Sequence, residues 1–478
     1  MSVASNDIGL ESGAPSPPGS LEEAGLCAPV VEQLILKILY LHGELYGQAL
    51  SAAIGLPFSV ILGLVEDLRA RRYVEVKRSL GLGDVSAVLA LTETGRNRTR
   101  DCLESNQYCG PAPVPMAQYT AIVRRQRLKE GWLTQEALAG AFAGLVLSGS
   151  IRSQMGPAVS SASSFLLYGK PGDGKTSLME SLANLDADPV YIPYAVECQG
   201  NIVQIYDPVH HQRIEERCSE RVAAQPAHDG RWLKCRRPFV VTGGELTLDM
   251  LDLQYNLTSK VYEAPFQLKA NNGIYLIDDF GRQRVTPAEV LNRWIVPMER
   301  GVDYLSFQTG GKMKAPFEAF LVFSTNLAPA DLGDEALLRR IRYKMQLPGP
   351  THDELMQIFE QFCTAHGIGC APGLAARFIA KHYRRAGMEA RRCHPRDVLS
   401  HALDLMRFER LPVELTDGIL DRAFESCFVQ QFDGGTRELE AEWPASGPPV
   451  PSAWNAISAA EGRHSDIQNP LGMPSGPV

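Results

Sequence analysis

Eight consecutive residues, Gly169-Lys170-Pro171-Gly172-Asp173-Gly174-Lys175-Thr176, restrict what this chain can fold into more than any other feature. They fit G-x-x-x-x-G-K-[ST] without exception, a pattern whose function is to cradle phosphate groups. The residues before them, Phe165-Leu166-Leu167-Tyr168, are strand-like, and Thr176–Leu185 is helix-like, which is the setting such a loop needs. Glycines permit backbone angles that turn amide N–H groups inward on the phosphates. The helix from about Lys175 adds the positive end of its dipole. The predicted binding set is Gly169, Lys170, Pro171, Gly172, Asp173, Gly174, Lys175, Thr176 and Ser177. Lys175 is expected to reach the β- and γ-phosphates of a nucleotide, and the Thr176 hydroxyl to ligate Mg²⁺.

Such a loop belongs at the end of a strand in a parallel sheet. Residues 156–350 alternate β-like and helical stretches, with Ser164–Tyr168, Val190–Val196, Pro238–Val241, Ile274–Ile277 and Leu321–Ser324 as candidate strands. Short apolar runs separated by helices indicate an α/β fold, a parallel sheet flanked by helices on both faces. Gly273-Ile274-Tyr275-Leu276-Ile277-Asp278-Asp279-Phe280 is an apolar strand ending in two carboxylates. Alone it is no more than a core strand and its turn. Beside a phosphate loop, Asp278 is expected to hold Mg²⁺ through water and Asp279 to polarise an attacking water.

Three further segments follow in order: Val322-Phe323-Ser324-Thr325-Asn326, then Ala336-Leu337-Leu338-Arg339-Arg340-Ile341, then His394-Pro395-Arg396-Asp397 within a stretch that is helical from Thr351 to Phe432. With the phosphate loop and the acid-tipped strand, in this order and spacing, residues 156–432 resemble an AAA+ P-loop ATPase. The resemblance implies ATP and Mg²⁺ as cofactors and a C-terminal helical lid. It implies Asn326 as a polar sensor beside the γ-phosphate and Arg396 as a second sensor carried by the lid. Arg339 or Arg340 would be an arginine finger offered to a neighbouring subunit's ATP, which implies a ring oligomer, by resemblance a hexamer. Asp303–Gln308 and Lys312–Phe317 flank Thr309-Gly310-Gly311, a hairpin signal that resembles the pre-sensor hairpin of the MoxR-like and enhancer-binding branches. One departure stands out. The family usually has Glu where this chain has Asp279, and a carboxylate one methylene shorter leaves slow turnover, or nucleotide switching without much hydrolysis, as an open alternative.

Upstream, residues 29–107 read as three helices, a hairpin (Tyr73–Arg78 and Ser86–Leu91 around Gly81, Gly83 and Asp84) and a further helix, resembling a winged helix-turn-helix domain. Over 29–105, nine Lys/Arg oppose nine Asp/Glu, and the third helix opens with Pro57-Phe58-Ser59-Val60-Ile61, apolar where base-reading side chains are expected. Arg69, Arg71, Arg72, Lys77 and Arg78 gather near the hairpin. A protein partner is the favoured reading, and DNA the alternative. Residues 108–155 read as a Pro-rich connector and helical bridge, 351–435 as the lid, and the Pro-rich ends 1–28 and 436–478 as disordered tails.

Composition sets the remaining bounds. The 478 residues are 45% hydrophobic and 21% charged, with net charge −8. That is globular composition without a bulk electrostatic signal for nucleic acid. Ten irregularly spaced cysteines suggest reduced thiols. Cys198, His210, His211, Cys218, His228 and Cys235 crowd one segment but lack zinc-site spacing, and suggest an insertion instead. Met1–Ser20 has no signal-peptide character, and the longest apolar run, Ala137–Leu147, is too short to span a bilayer. The expected location is the cytoplasm, with no membrane partner. Together these readings describe an ATP-driven remodelling or switch protein with a partner-recruiting adaptor. The alternatives are a DNA-bound regulator with ATP-dependent assembly, and a slow or inactive nucleotide-binding scaffold.

Overall fold

The computed structural model describes residues 13–79, 84–128, 132–185, 187–215, 228–333, 335–385 and 388–428. Its centre is a parallel sheet of five strands in the order Phe239–Thr242, Ile274–Ile277, Phe320–Thr325, Ser164–Tyr168, Tyr343–Gln346. Successive side chains leave a strand on opposite faces, and each face here has its own core. Leu166, Tyr275, Ile277, Leu321 and Phe323 pack with Trp294, Val290 and Leu291 on one side. Phe165, Leu167, Leu276, Phe320 and Val322 pack with Leu178, Met179, Met155 and Val159 of the helices on the other. This double burial is why the strands read as continuous apolar runs. The fold is α/β, a parallel sheet flanked by helices.

Two strand expectations need correction. Val190–Val196 is not in this sheet. Val190–Pro193 pairs antiparallel with Trp232–Cys235, and Ala195–Cys198 joins a second sheet. The fifth strand of the central sheet is instead Tyr343–Gln346, which the apolar-run criterion passes over because, within this edge strand, only Met345 is buried.

The second sheet is mixed, ordered Gln254–Asn256, Val261–Glu263, Asn201–Gln204, Ala195–Cys198, Val114–Pro115. Its core includes Tyr119, Val196, Val203, Trp232 and Tyr262, together with Leu305, Phe307 and Met313 of the hairpin Val302–Ser306/Lys312–Pro316. The end of the Pro-rich connector is therefore a strand, and the described parts of the segment expected as an insertion, 198–215 and 228–235, belong to a folded layer. His211 is buried there, its Nε2 2.8 Å from the Lys269 carbonyl while its Nδ1 accepts the Asp207 N–H at 2.9 Å. Among the described residues no three His, Cys, Asp or Glu side chains come together as a metal site; Cys218 lies outside them.

At the N-terminal end, helices Ala28–His42, Gly47–Ile54 and Phe58–Ala70 pack on a three-stranded antiparallel sheet ordered Glu44–Tyr46, Ala87–Leu91, Val74–Ser79, followed by helix Glu93–Ser105. Gly81 and Gly83 of the expected hairpin lie outside the described residues. Of the tail expected over 1–28, residues 1–12 lie outside the described ones, and part of the rest is ordered. Ser20 Oγ accepts the Glu23 N–H and caps helix Leu21–Ala24, and Ala24 and Leu26 are buried in this unit's core. Residues 436–478 lie outside the described ones.

The C-terminal part consists of helices His352–His366, Leu374–Ile379, Cys393–Phe408 and Asp417–Cys427. No single helix among the described residues is long and apolar enough to cross a membrane. The pair Gly47–Ile54 and Phe58–Ala70, bent by 112°, passes that test only jointly. It buries Leu50, Ile54, Ile61, Val65 and Leu68 in the N-terminal core.

Candidate functional site

Three neighbouring strands deliver the site from their carboxyl ends. Ser164–Tyr168 runs into the phosphate loop, Ile274–Ile277 into Asp278 and Asp279, and Phe320–Thr325 into Asn326. The strand between the loop strand and the acid strand thus carries Asn326, so all three groups meet at one edge. In the loop, Gly172 (φ +83°) and Gly174 (φ +82°) take the left-handed backbone that glycine adopts without strain. A Cβ on Gly172 would sit 2.6 Å from Cys393 Sγ, so both backbone angle and space demand glycine.

The sequence-predicted groups contact one another. Lys175 Nζ donates to the carbonyls of Gly169 (3.0 Å) and Lys170 (2.8 Å) and to Asn326 Oδ1 (2.6 Å). Burial lowers the Lys175 pKa from its ordinary value, against the pull of Asp173, Asp278 and Asp279. Asn326 Nδ2 donates to Asp279 Oδ1 at 2.9 Å, and the Thr176 hydroxyl donates to Asp278 Oδ2 at 2.8 Å. Asp279 sits at φ +48°, a backbone region seldom used by non-glycine residues, while its N–H is held by Asp278 Oδ1 at 3.0 Å. Strain of this kind gathers where a side chain's placement matters more than its comfort.

Around these groups lies a cleft of about 690 Å³. Its walls include Gly144–Leu147, the loop through Leu178, Arg282, and Ile358, Gln361, Phe362 and Ala365 of helix His352–His366. Arg392, Cys393 and Arg396, at the start of helix Cys393–Phe408, line it as well. Arg396 is exposed and paired with Asp397 at 3.1 Å. Asp173 turns inward. It is buried with Oδ1 unpartnered, and burial raises its pKa against Arg392 and Lys175. The site's oxygens fit magnesium. A hydroxyl and a carboxylate 2.8 Å apart are hard donors, and this ion keeps most of its shell as water and phosphate oxygen. Thr176 and Asp278 are the residues that would hold it.

Arg339 and Arg340 are not brought to this cleft. Arg339 is exposed, and Arg340 pairs with Glu299 at 3.0 Å. Arg340 borders another cleft beside Ser164, Gly273 and Phe320, at the amino ends of the same strands. Sequence reasoning missed Arg391, Arg392 and Cys393, which touch the loop directly, and Arg282. The available signal was the pair Arg391-Arg392 standing just before His394-Pro395-Arg396-Asp397.

A family described as a domain of unknown function, DUF8689, matches residues 351–426, the helical C-terminal part. No curated protein matches the chain. Among solved structures it is similar to NtrX from Brucella abortus, at 12% identity and TM-score 0.38, covering 65% of this chain. This chain spans 58% of that NtrX chain. NtrX in complex with ATP aligns at 13% identity and TM-score 0.34, over 68% of this chain and 61% of that one. The RuvB Holliday junction branch migration motor of Thermotoga maritima aligns at 15% identity and TM-score 0.32, over 63% and 72% of the two chains.

Proposed function

We propose that this chain is an AAA+ ATPase that binds ATP with Mg²⁺ in the cleft between phosphate loop and lid. The observation that carries the reading is the double convergence at one sheet edge, Thr176 on Asp278 and Lys175 on Asn326 on Asp279. These contacts join a triphosphate-binding ammonium, a pair of metal-type oxygens and a candidate water-polarising carboxylate, parts that phosphoryl transfer needs together. Lys175 neutralises the terminal phosphates. Asp279 accepts the proton side of the attacking water, and Asn326 fixes that carboxylate's orientation. Arg396, on the lid side of the cleft, completes the charge around the γ-phosphate. When bound, Mg²⁺ offsets charge on the phosphates. Arg339 or Arg340 acts in trans as the arginine finger of a ring, in keeping with its distance from the chain's own cleft.

The N-terminal winged-helix unit is read as an adaptor for a protein partner. Its third helix exposes Ser59, Gly63, Glu66, Asp67, Arg69 and Ala70, small groups with two acids against one base rather than a basic face for phosphate backbones. Arg71, Lys77 and Arg78 lie beside Glu32, Glu75 and Glu44. Gly55, just before that helix, abuts Gly230 of the second β layer, which supports a docked rather than a free reading helix. DNA remains the alternative partner, and salt-dependent duplex binding by the full chain is its test.

The decisive experiment is titration of the full chain with ATP and Mg²⁺. Lys175→Ala is expected to weaken binding at least about 100-fold, roughly 3 kcal/mol. Binding by Lys175→Ala equal to that of the unaltered chain would sink the assignment.

A further inference from the structure

The lid grips the phosphate loop at four consecutive residues. Glu389 pairs with Lys170. Arg391 Nη1 donates to the Pro171 carbonyl at 2.9 Å, and the Cys393 N–H to the Gly172 carbonyl at 2.9 Å. Arg392 Nη1 lies 3.4 Å from the Asp173 carbonyl.

Arg392 also reaches beyond the loop. Its Nη1 donates to the Pro348 carbonyl at 2.6 Å, in the link from the sheet's edge strand to the lid. Its Nη2 stands 3.4 Å from Glu354 Oε2. Glu354 is the third residue of helix His352–His366, and the same oxygen accepts the Thr351 N–H at 2.9 Å in a capping box. That helix supplies Ile358, Gln361 and Phe362 to the cleft. Arg392 itself is the N-cap residue of helix Cys393–Phe408, which carries Arg396. One guanidinium therefore joins the phosphate loop, the interdomain link and both lid helices that face the cleft. A planar fork with five donors can bond in several directions at once; an ammonium on a flexible stem holds no such fixed geometry.

The knot is buried, and not fully satisfied. The Arg392 side chain is 8% exposed and that of Glu354 12%. Arg392 Nε, Glu354 Oε1 and Asp173 Oδ1 have no hydrogen-bond partner among the described residues. Buried charges with unmet hydrogen bonds are a weak source of stability. Their use here is geometric.

We infer that Arg392 is a positioning residue that fixes the lid's orientation against the phosphate loop and thereby sets nucleotide affinity. It acts through the Asp173 carbonyl, the Pro348 carbonyl and Glu354. The inference rests on the ATP-binding reading and adds to it a determinant of affinity separate from Arg396.

The test uses the full chain, a fluorescent ATP analogue with Mg²⁺ for affinity, and steady-state hydrolysis for turnover. Arg392→Ala is expected to raise Kd at least about tenfold while turnover at saturation changes by less than about threefold. Arg392→Lys keeps the buried charge and guards against a folding defect. It is expected to leave the affinity loss largely unrescued, because charge without the fork does not span the three partners. Glu354→Gln is expected to raise Kd about threefold, and Arg392→Ala with Glu354→Gln to be no worse than Arg392→Ala alone, as for two residues of one contact. Arg396→Ala should show the opposite split, with turnover lost more than affinity. Unchanged affinity in Arg392→Ala, full rescue by lysine, or additive effects in the double variant would each overturn the role of Arg392. Failure of the unaltered chain to bind the analogue would instead bring down the ATP reading, and the role of Arg392 with it.

Discussion

Among the described residues there are two five-stranded sheets, and they differ in how they are written into the chain. The central sheet is parallel, and its inner strands are apolar along their length because both faces are covered. The second sheet has strands of two to four residues drawn from 114–115, 195–198, 201–204, 254–256 and 261–263. Its core is completed by a hairpin from 302–316 and by Tyr119 and Val123 of helix Met116–Arg125. One sheet gathers the candidate site at its carboxyl edge. The other shares its core with the hairpin and with helix Met116–Arg125, so its order depends on segments distant in sequence.

That contrast makes the second layer the more vulnerable part. Trp232→Ala empties space in its core, where the indole lies near Tyr119 with ring centroids 6.5 Å apart. A cost of about 3–5 kcal/mol is expected. Trp294→Ala should cost a similar amount in the central core, where the ring is fully buried. Hydrogen exchange separates the two. Trp232→Ala should release strands 195–204 while leaving 164–168 and 320–325 protected, and uniform loss in both variants would mean the sheets unfold as one.

Acid should open the same difference. Burial pushes the His211 imidazole down to about 4. Its folded-state pKa is therefore below the unfolded value of about 6.5, and the unfolded chain takes up the proton first. Stability falls as pH drops from about 6.5 towards 4 and levels off below that, by at most about 3 kcal/mol. Protonation would also end the bond that Nδ1 accepts from Asp207. His211→Gln should flatten this part of the pH profile measured by denaturant titration. An unaltered slope would show that other groups set it.

Gly55→Ala is expected to cost about 1–3 kcal/mol, since φ there is +74° and the new Cβ would meet the Gly230 carbonyl oxygen at 2.7 Å. The loss should appear as faster proteolysis between the N-terminal unit and the second layer, with ATP hydrolysis retained. Joint loss of both would tie the N-terminal unit to the site more tightly than the geometry requires.

The smallest effect concerns the chemistry itself. Asp279→Glu is expected to change turnover by less than about tenfold, near 1.4 kcal/mol. A rise would favour the slow-scaffold reading of the unaltered chain, whereas a fall would show that the shorter carboxylate, held by Asn326 at 2.9 Å, is already placed for its task.

Much of the site was legible because its parts are local. Gly172 and Gly174 announce their backbone angles by residue type, Lys175 and Thr176 follow them at the start of a helix, and Asp278 and Asn326 directly follow apolar runs that identify themselves as strands. Tyr343–Gln346 was not legible, since an edge strand with one buried side chain has no apolar run. Val190–Val196 was misassigned for the converse reason. Its apolar character is real, but antiparallel pairing with Trp232–Cys235 uses it as well as a parallel sheet would.

Sequence alone determines the glycine-rich loop, the acid-tipped strand and the place of Asn326 at the end of an apolar strand, because backbone preference and strand periodicity act over a few contiguous residues. Tertiary structure alone decides the second sheet, the partners of His211 and the place of Arg392 among Asp173, Pro348 and Glu354. Those arrangements are contacts between segments separated by tens to hundreds of residues, and side-chain type does not record which distant carbonyl or carboxylate folding will bring within reach.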